Sequence, residues 1–280
     1  MGEMSEMVVG EDLDRSVRIG AGAPLVLIGG PCVIEDSAQF FHIARGIDEI
    51  CRDLGMSFVY KASFDKANRT SIESYRGPEL SQALSLFSAL REEGIPVTTD
   101  VHLPSQVEKI APHVDLLQIP AFLCRQTDLL MAAGQSGRPV NIKKGQFMAP
   151  LAMKHAAQKA EQSGAAAVML TERGTTFGHG DLVVDMRGLQ QMRELGYPVC
   201  FDATHSVQRP SAGGATSGGA REFVPALSRA AVAVGIDALF AEIHHQPQAA
   251  LSDGPNMIPL DELADYLVDV LAMDQALRER

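Results

Sequence analysis

The chain has 280 residues, 46% of them apolar, enough to bury a large core and long enough for one α/β barrel or two ordinary domains. Its 35 acidic and 24 basic residues give a formal net charge of −11, which excludes a general nucleic-acid surface, since that needs many cations on one face. No apolar run approaches the roughly 20 residues of a membrane span, the opening residues are acidic where a secretory signal is basic, and the cysteines at 32, 51, 124 and 200 lack CxxC or disulfide-framework spacing. A soluble, cytoplasmic protein with reduced, buried thiols is expected.

In chain order, the apolar patches Met7-Val-Val9 and Val17-Arg-Ile19 predict a short N-terminal hairpin within residues 1–22. Eight strand-like runs then follow: Leu25–Ile28, Phe58–Tyr60, Pro96–Thr99, Asp115–Ile119, Val140–Ile142, Ala166–Leu170, Pro198–Phe201 and Ala238–Ala241. Helical stretches lie between them. Leu80, Ala83, Leu84, Phe87 and Leu90 mark one buried face, and Leu260, Leu263, Ala264, Leu267 and Leu271 mark another. Glycine stops several helices, as at Gly94, Gly196 and Gly235. Eight strand-then-helix units predict a (β/α)8 TIM barrel, one domain over 1–280. An open doubly wound sheet alternates similarly, but Gly29-Gly-Pro31 is not the GxGxxG fingerprint it would carry.

Barrel enzymes keep their chemistry on the loops after the strands. The polar motifs of this chain sort that way. Cys32 follows the first strand, Lys61 to Thr70 the second, Asp100 and His102 the third, Gln118 to Arg125 the fourth. Lys143 follows the fifth, Thr171-Glu-Arg173 the sixth, Asp202 to Arg209 the seventh and Glu242 to Asp253 the eighth.

Among them, Cys32, His205, Glu242 and Asp253 form a sensible ligand set for a divalent first-row metal. Thiolate and imidazole suit Zn²⁺ or Fe²⁺, while two carboxylates keep Mn²⁺ and Co²⁺ open. Lys61, Lys66, Arg69, Lys143 and Arg173 would face the same mouth, where their mutual repulsion calls for phosphorylated or carboxylated ligands. His102, His113, His155 and His179 lack comparable context and are assigned to surface or core. The glycine-rich stretch Arg209–Arg221 reads as a flexible connector or a lid.

The motifs Lys61-Ala-Ser-Phe-Asp-Lys-Ala-Asn-Arg-Thr-Ser71, Gln118–Gln126, Asn141–Phe147, Asp202–Gln208 and Ser252-Asp-Gly254 resemble the 3-deoxy-D-manno-octulosonate 8-phosphate (KDO 8-phosphate) synthase family. The resemblance implies condensation of phosphoenolpyruvate with D-arabinose 5-phosphate and water, for lipopolysaccharide precursors, by a homotetramer. It implies that Lys61, Ser63, Lys143 and Arg173 hold phosphoenolpyruvate and that Asn68, Arg69 and Thr70 hold the sugar phosphate. Lys66, Gln118, Ala121 and Gln146 join them, and Arg125 completes a substrate site near a subunit boundary. Lys61, Lys143, His205 and Asp253 carry the catalytic roles. Cys32, His205, Glu242 and Asp253 match the ligands of the metal-dependent branch; the metal-independent branch has Asn in place of Cys32. Two stretches depart from the family pattern, His179-Gly-Asp181 and His244-His-Gln-Pro247. The sister synthase that uses erythrose 4-phosphate shows Lys-Pro-Arg-Thr where this chain has Lys66-Ala-Asn-Arg-Thr70. A non-catalytic barrel that binds phosphosugars is the alternative of another class.

Overall fold

Short apolar runs without alternation leave no strand face for water, so these strands must be covered on both sides. The computed structural model, which describes residues 5–69, 71–177, 180–213 and 216–279, meets that requirement with a closed parallel barrel. Its strands are β1 (Val26–Gly30), β2 (Ser57–Lys61), β3 (Val97–Asp100), β4 (Leu116–Ile119), β5 (Val140–Lys143), β6 (Val168–Glu172), β7 (Val199–Asp202) and β8 (Ala238–His244). Each pairs with the next, and β8 pairs back with β1, with Glu242 opposite Gly30. The helices between them are α1 (Ser37–Asp53), α2 (Leu80–Glu92), α3 (Pro104–Ile110), α4 (Thr127–Gln135), α5 (Met153–Gln162), α6 (Arg187–Arg193), α7 (Val224–Val234) and α8 (Leu263–Arg278).

The eight expected strands are all present, but most run further at their C-terminal ends than the apolar runs do. Lys61, Lys143, Glu172, Asp202 and Glu242 are strand residues. Backbone pairing continues whatever the side chain, so these polar groups are held by the sheet itself.

The helices seal the outside. Helix α1 is capped by Asp36, whose side chain accepts the Gln39 N–H, and it buries Phe40, Ile43, Ala44, Ile47 and Cys51. Helix α2 buries Ala83, Phe87 and Leu90 as expected, with Leu86 in the place the spacing gave to Leu84. In α8, Leu263 and Leu267 are buried together with Tyr266 and Val270, while Leu260 belongs to the turn before it.

The hairpin pairs Glu6–Val9 with Val17–Gly20. Met7, Val9, Val17 and Ile19 are buried, and they pack with Val26, Ile28, Val59, Leu116, Met169, Cys200, Ala238 and Phe240 inside the barrel. A Cβ on Gly20 would meet the ring of Pro198, just before β7, so the hairpin plugs the N-terminal end. Chemistry is left to the opposite mouth. The glycine-rich stretch after β7 is a two-stranded ribbon, Gln208–Gly213 with Thr216–Gly219.

Candidate active site

The strand ends carry a belt of buried polar side chains. Gln118 donates to Asp100 at 2.6 Å, Asn141 to Gln118 at 3.1 Å and Thr171 to Asn141 at 2.6 Å, linking β3 to β6. Such a network fixes each member because every break would leave a buried group unpaired.

Upon this belt stand the lysines. Lys61 Nζ donates to Ser63 Oγ at 2.7 Å and lies 3.2 Å from Asp100, while Ser63 Oγ donates to Asp100 at 2.5 Å. Lys143 Nζ meets Asp202 at 2.5 Å. Lys66 Nζ is 3.8 Å from Glu242. The mutual repulsion expected of these cations is therefore relieved by carboxylates, chiefly the strand-end aspartates Asp100 and Asp202. Burial pushes the Lys61 ammonium below its ordinary pKa, an effect that Asp100 opposes. Burial also disfavours the Lys66 charge, but Cys32, when it is a thiolate, and the Glu242, Asp100 and Asp253 carboxylates raise its pKa instead. Asp100 sits well below the carboxylate range despite its burial, held there by Lys61 and Lys66.

Arg173 is also buried. Its Nη2 donates to Gln208 Oε1 at 2.9 Å, but Nη1 has no partner among the described residues. A buried guanidinium donor left unpaired is an open position for an anion.

Cys32, Glu242 and Asp253 offer ligand atoms within 4.8 Å of one another. Gly30 allows this. A side chain there would fall on the Lys61 carbonyl, and its φ of +149° suits glycine. His205 joins from the turn after β7, its Nε2 3.5 Å from Glu242 Oε1 and 4.0 Å from Asp253 Oδ2. Its Nδ1 faces Asp202 Oδ2 at 2.8 Å. With the Nδ1 proton given to Asp202, the Nε2 lone pair faces the carboxylates, the tautomer a metal ligand needs. Both Glu242 oxygens are buried and, among the described residues, accept no hydrogen bond. Orphaned carboxylate oxygens beside a thiol and an imidazole fit a divalent cation.

Lys61, Lys66, Asn68, Gln118, Ala121, Lys143, Gln146, Arg173 and His205 line one cavity, and Ser63 supports it from behind Lys61. Arg69 is turned away, its guanidinium on Ser252 Oγ and the Leu251 carbonyl. Arg125 does not reach this cavity; it is exposed and lines a separate hollow with Phe147, His155 and Lys159. Thr70 and His179 lie outside the described residues.

His102, assigned from sequence to surface or core, belongs to the site. It lines the cavity and meets Phe64 edge-on. Asp100, Asp202, Gln208 and Ser252 were not singled out as site residues either. Gln208 bridges Arg173 and Asp253, and Ser252 Oγ lies 3.1 Å from Cys32 Sγ. Their signal was position, since all occupy strand ends or the motifs that follow them.

The sequence profile of the DAHP synthetase I family matches residues 6–279. A 2-dehydro-3-deoxyphosphooctonate aldolase of Cyanothece sp. is 58% identical over 262 residues, 93% of this chain and 96% of that one. The protein of that name in Syntrophotalea carbinolica is 54% identical, covering 94% of this chain and 95% of its own. That of Desulfotalea psychrophila is 50% identical and covers 99% of both.

Proposed function

The chain belongs to the DAHP synthetase I family, and from that membership and its likeness to 2-dehydro-3-deoxyphosphooctonate aldolases we propose that it makes KDO 8-phosphate from phosphoenolpyruvate, D-arabinose 5-phosphate and water. The observation that carries the chemical reading is one mouth in which a wall of anchored cations adjoins a thiol–carboxylate cluster.

The reaction forms a bond from C3 of phosphoenolpyruvate to the aldehyde carbon of the sugar, while a water oxygen adds to C2. The resulting hemiketal phosphate loses inorganic phosphate by cleavage of its C2–O bond, leaving the ketone. Lys61, Lys143 and Arg173, with Ser63, hold the phosphate and carboxylate of phosphoenolpyruvate deep in the mouth. Asp100 and Asp202 fix the two lysines, so the positive charge is preorganised and needs no rearrangement during the reaction. Lys66, Asn68, Arg69 and Thr70 take the sugar phosphate, and Gln118, Ala121 and Gln146 complete the walls. When held by Cys32, His205, Glu242 and Asp253, a divalent ion (Zn²⁺, Fe²⁺, Mn²⁺ or Co²⁺) supplies Lewis acidity toward an aldehyde or water oxygen. Asp202 holds the Nδ1 proton of His205 and so keeps Nε2 aimed at that cluster.

The reading extends to a homotetramer in the cytoplasm that supplies an eight-carbon sugar acid for lipopolysaccharide. Exposed Phe122, Phe147 and Leu151 near Arg125 support a subunit contact there. Among the described residues no helix is long and apolar enough to cross a membrane.

Phosphate release from phosphoenolpyruvate tests the reading, with chelator-stripped and metal-reloaded protein offered either sugar. Release with arabinose 5-phosphate, only after reloading, is expected. Preference for erythrose 4-phosphate would assign the sister reaction, and no release with either sugar would leave a binding protein.

A further inference from the structure

Leu251, two residues before Asp253, has both its backbone N–H and its carbonyl held by side chains. Its N–H donates to Glu35 Oε1 at 2.9 Å, and its carbonyl accepts from Arg69 Nη2 at 2.9 Å. Arg69 Nη1 also donates to the neighbouring Ser252 Oγ, which touches Cys32 Sγ. Beyond them Asp253 adopts φ +50° and ψ +19°, a left-handed conformation that aspartate tolerates better than most residues with a Cβ but that its surroundings still help to hold.

Glu35 is well placed to help hold it. It follows Cys32 by three residues, its side chain is nearly buried, and its other oxygen accepts Gln39 Nε2 at 3.2 Å from the first turn of α1. His244 Nε2, on β8, stands 3.6 Å from Glu35 Oε1, and its Nδ1 accepts the Gln246 N–H. The first and last strand-end loops are therefore joined through this carboxylate as well as through Cys32. Arg69 adds a second hold on the Leu251 carbonyl and Ser252 Oγ, but only the Glu35 carboxylate takes the Leu251 N–H.

We propose that Glu35 is the positioning residue of the metal centre. Through the Leu251 N–H it keeps Asp253 set against Cys32 and Glu242. This rests on the metal reading above for its consequence, though not for the clamp itself.

Two conservative variants separate reach from charge. Glu35→Asp keeps the carboxylate but withdraws it from Leu251 N–H; Glu35→Gln keeps the length and a carbonyl acceptor. Hydrogen exchange of the segment 246–257 in metal-free protein reads the clamp, and Co²⁺ affinity, followed by thiolate-to-cobalt charge-transfer absorbance, reads the ligands. Glu35→Asp should speed exchange at the Leu251 amide and weaken Co²⁺ binding about 10–100-fold, the usual effect of losing a partner behind a metal ligand. Glu35→Gln should stay near the parent protein in both. Unchanged exchange in Glu35→Asp, or equal losses in the two variants, would overturn the clamp. Faster exchange in a protein whose parent form gives no cobalt absorbance would refute the metal reading while leaving the clamp standing.

Discussion

The ammonium of Lys143 stands 3.6 Å from the centroid of the Phe240 ring. Lys61 Nζ lies 5.7 Å from the same ring, and the ring packs into the apolar interior with Met7 and Ile19. One aromatic side chain is thus the floor of the cation wall and the ceiling of the barrel core. Phe240→Leu keeps most of the apolar volume but removes the electron-rich face, worth about 0.5–2 kcal/mol to a cation held over it. The expected result is a several-fold rise in KM for phosphoenolpyruvate with a smaller change in melting temperature, read by steady-state kinetics and calorimetry.

Asp202 ties Lys143 to His205. Asp202→Asn leaves the buried ammonium without its counter-charge and weakens control of the imidazole tautomer. A loss of about 10–100-fold in Co²⁺ affinity and a fall in kcat are expected, measured by titration and single-turnover phosphate release. Unaltered metal affinity would show that His205 needs no help from Asp202.

Burial and the nearby Glu242 carboxylate push the Cys32 thiol well above its ordinary pKa. At neutral pH the site therefore carries a proton that a thiolate ligand must lose, so metal uptake should release a proton and tighten as pH rises. Potentiometric titration during Co²⁺ addition checks this. Cys32→Asn has no such proton, and its phosphate release should be less sensitive to chelators than that of the parent protein.

His102 is held below the ordinary histidine value of 6.5, chiefly by burial. Its folded form resists protonation, so below about pH 6.5 the unfolded chain binds more protons than the folded one. Stability then falls as pH drops through that value and stops falling on this account below the folded pKa. His102→Gln should flatten the dependence of melting temperature on pH between roughly 7 and 5. An unchanged slope would assign the dependence to other groups.

The barrel was legible because burial on both faces forces continuous apolar runs, and those runs were all found. Their polar ends were harder to place. Asp100 and Asp202 were read only as the first residues of loops after their strands, whereas pairing with the next strand holds them in the sheet to meet Lys61 and Lys143. Local sequence cannot show that meeting, since the partner lies on a different strand. The same holds for Glu35 and Leu251, joined by a carboxylate and a backbone amide at opposite ends of the chain. His102 was passed over because an isolated histidine carries no spacing signal. Arg69 illustrates the converse, a residue whose chemistry was readable while its partners, Ser252 and the Leu251 carbonyl, were not.

The hairpin that stoppers the barrel is made of residues that precede every barrel strand, yet its seat includes Ala238 and Phe240 from the last of them. The rest of the seat comes from earlier strands, Val26 and Ile28 on β1 and Val59 on β2 among them, so it is shared around the ring and is complete only once β8 closes it. A chain interrupted before β8 lacks the Ala238 and Phe240 part of that seat and leaves more of Met7, Val9 and Ile19 uncovered, the kind of apolar surface that chaperones and proteases engage.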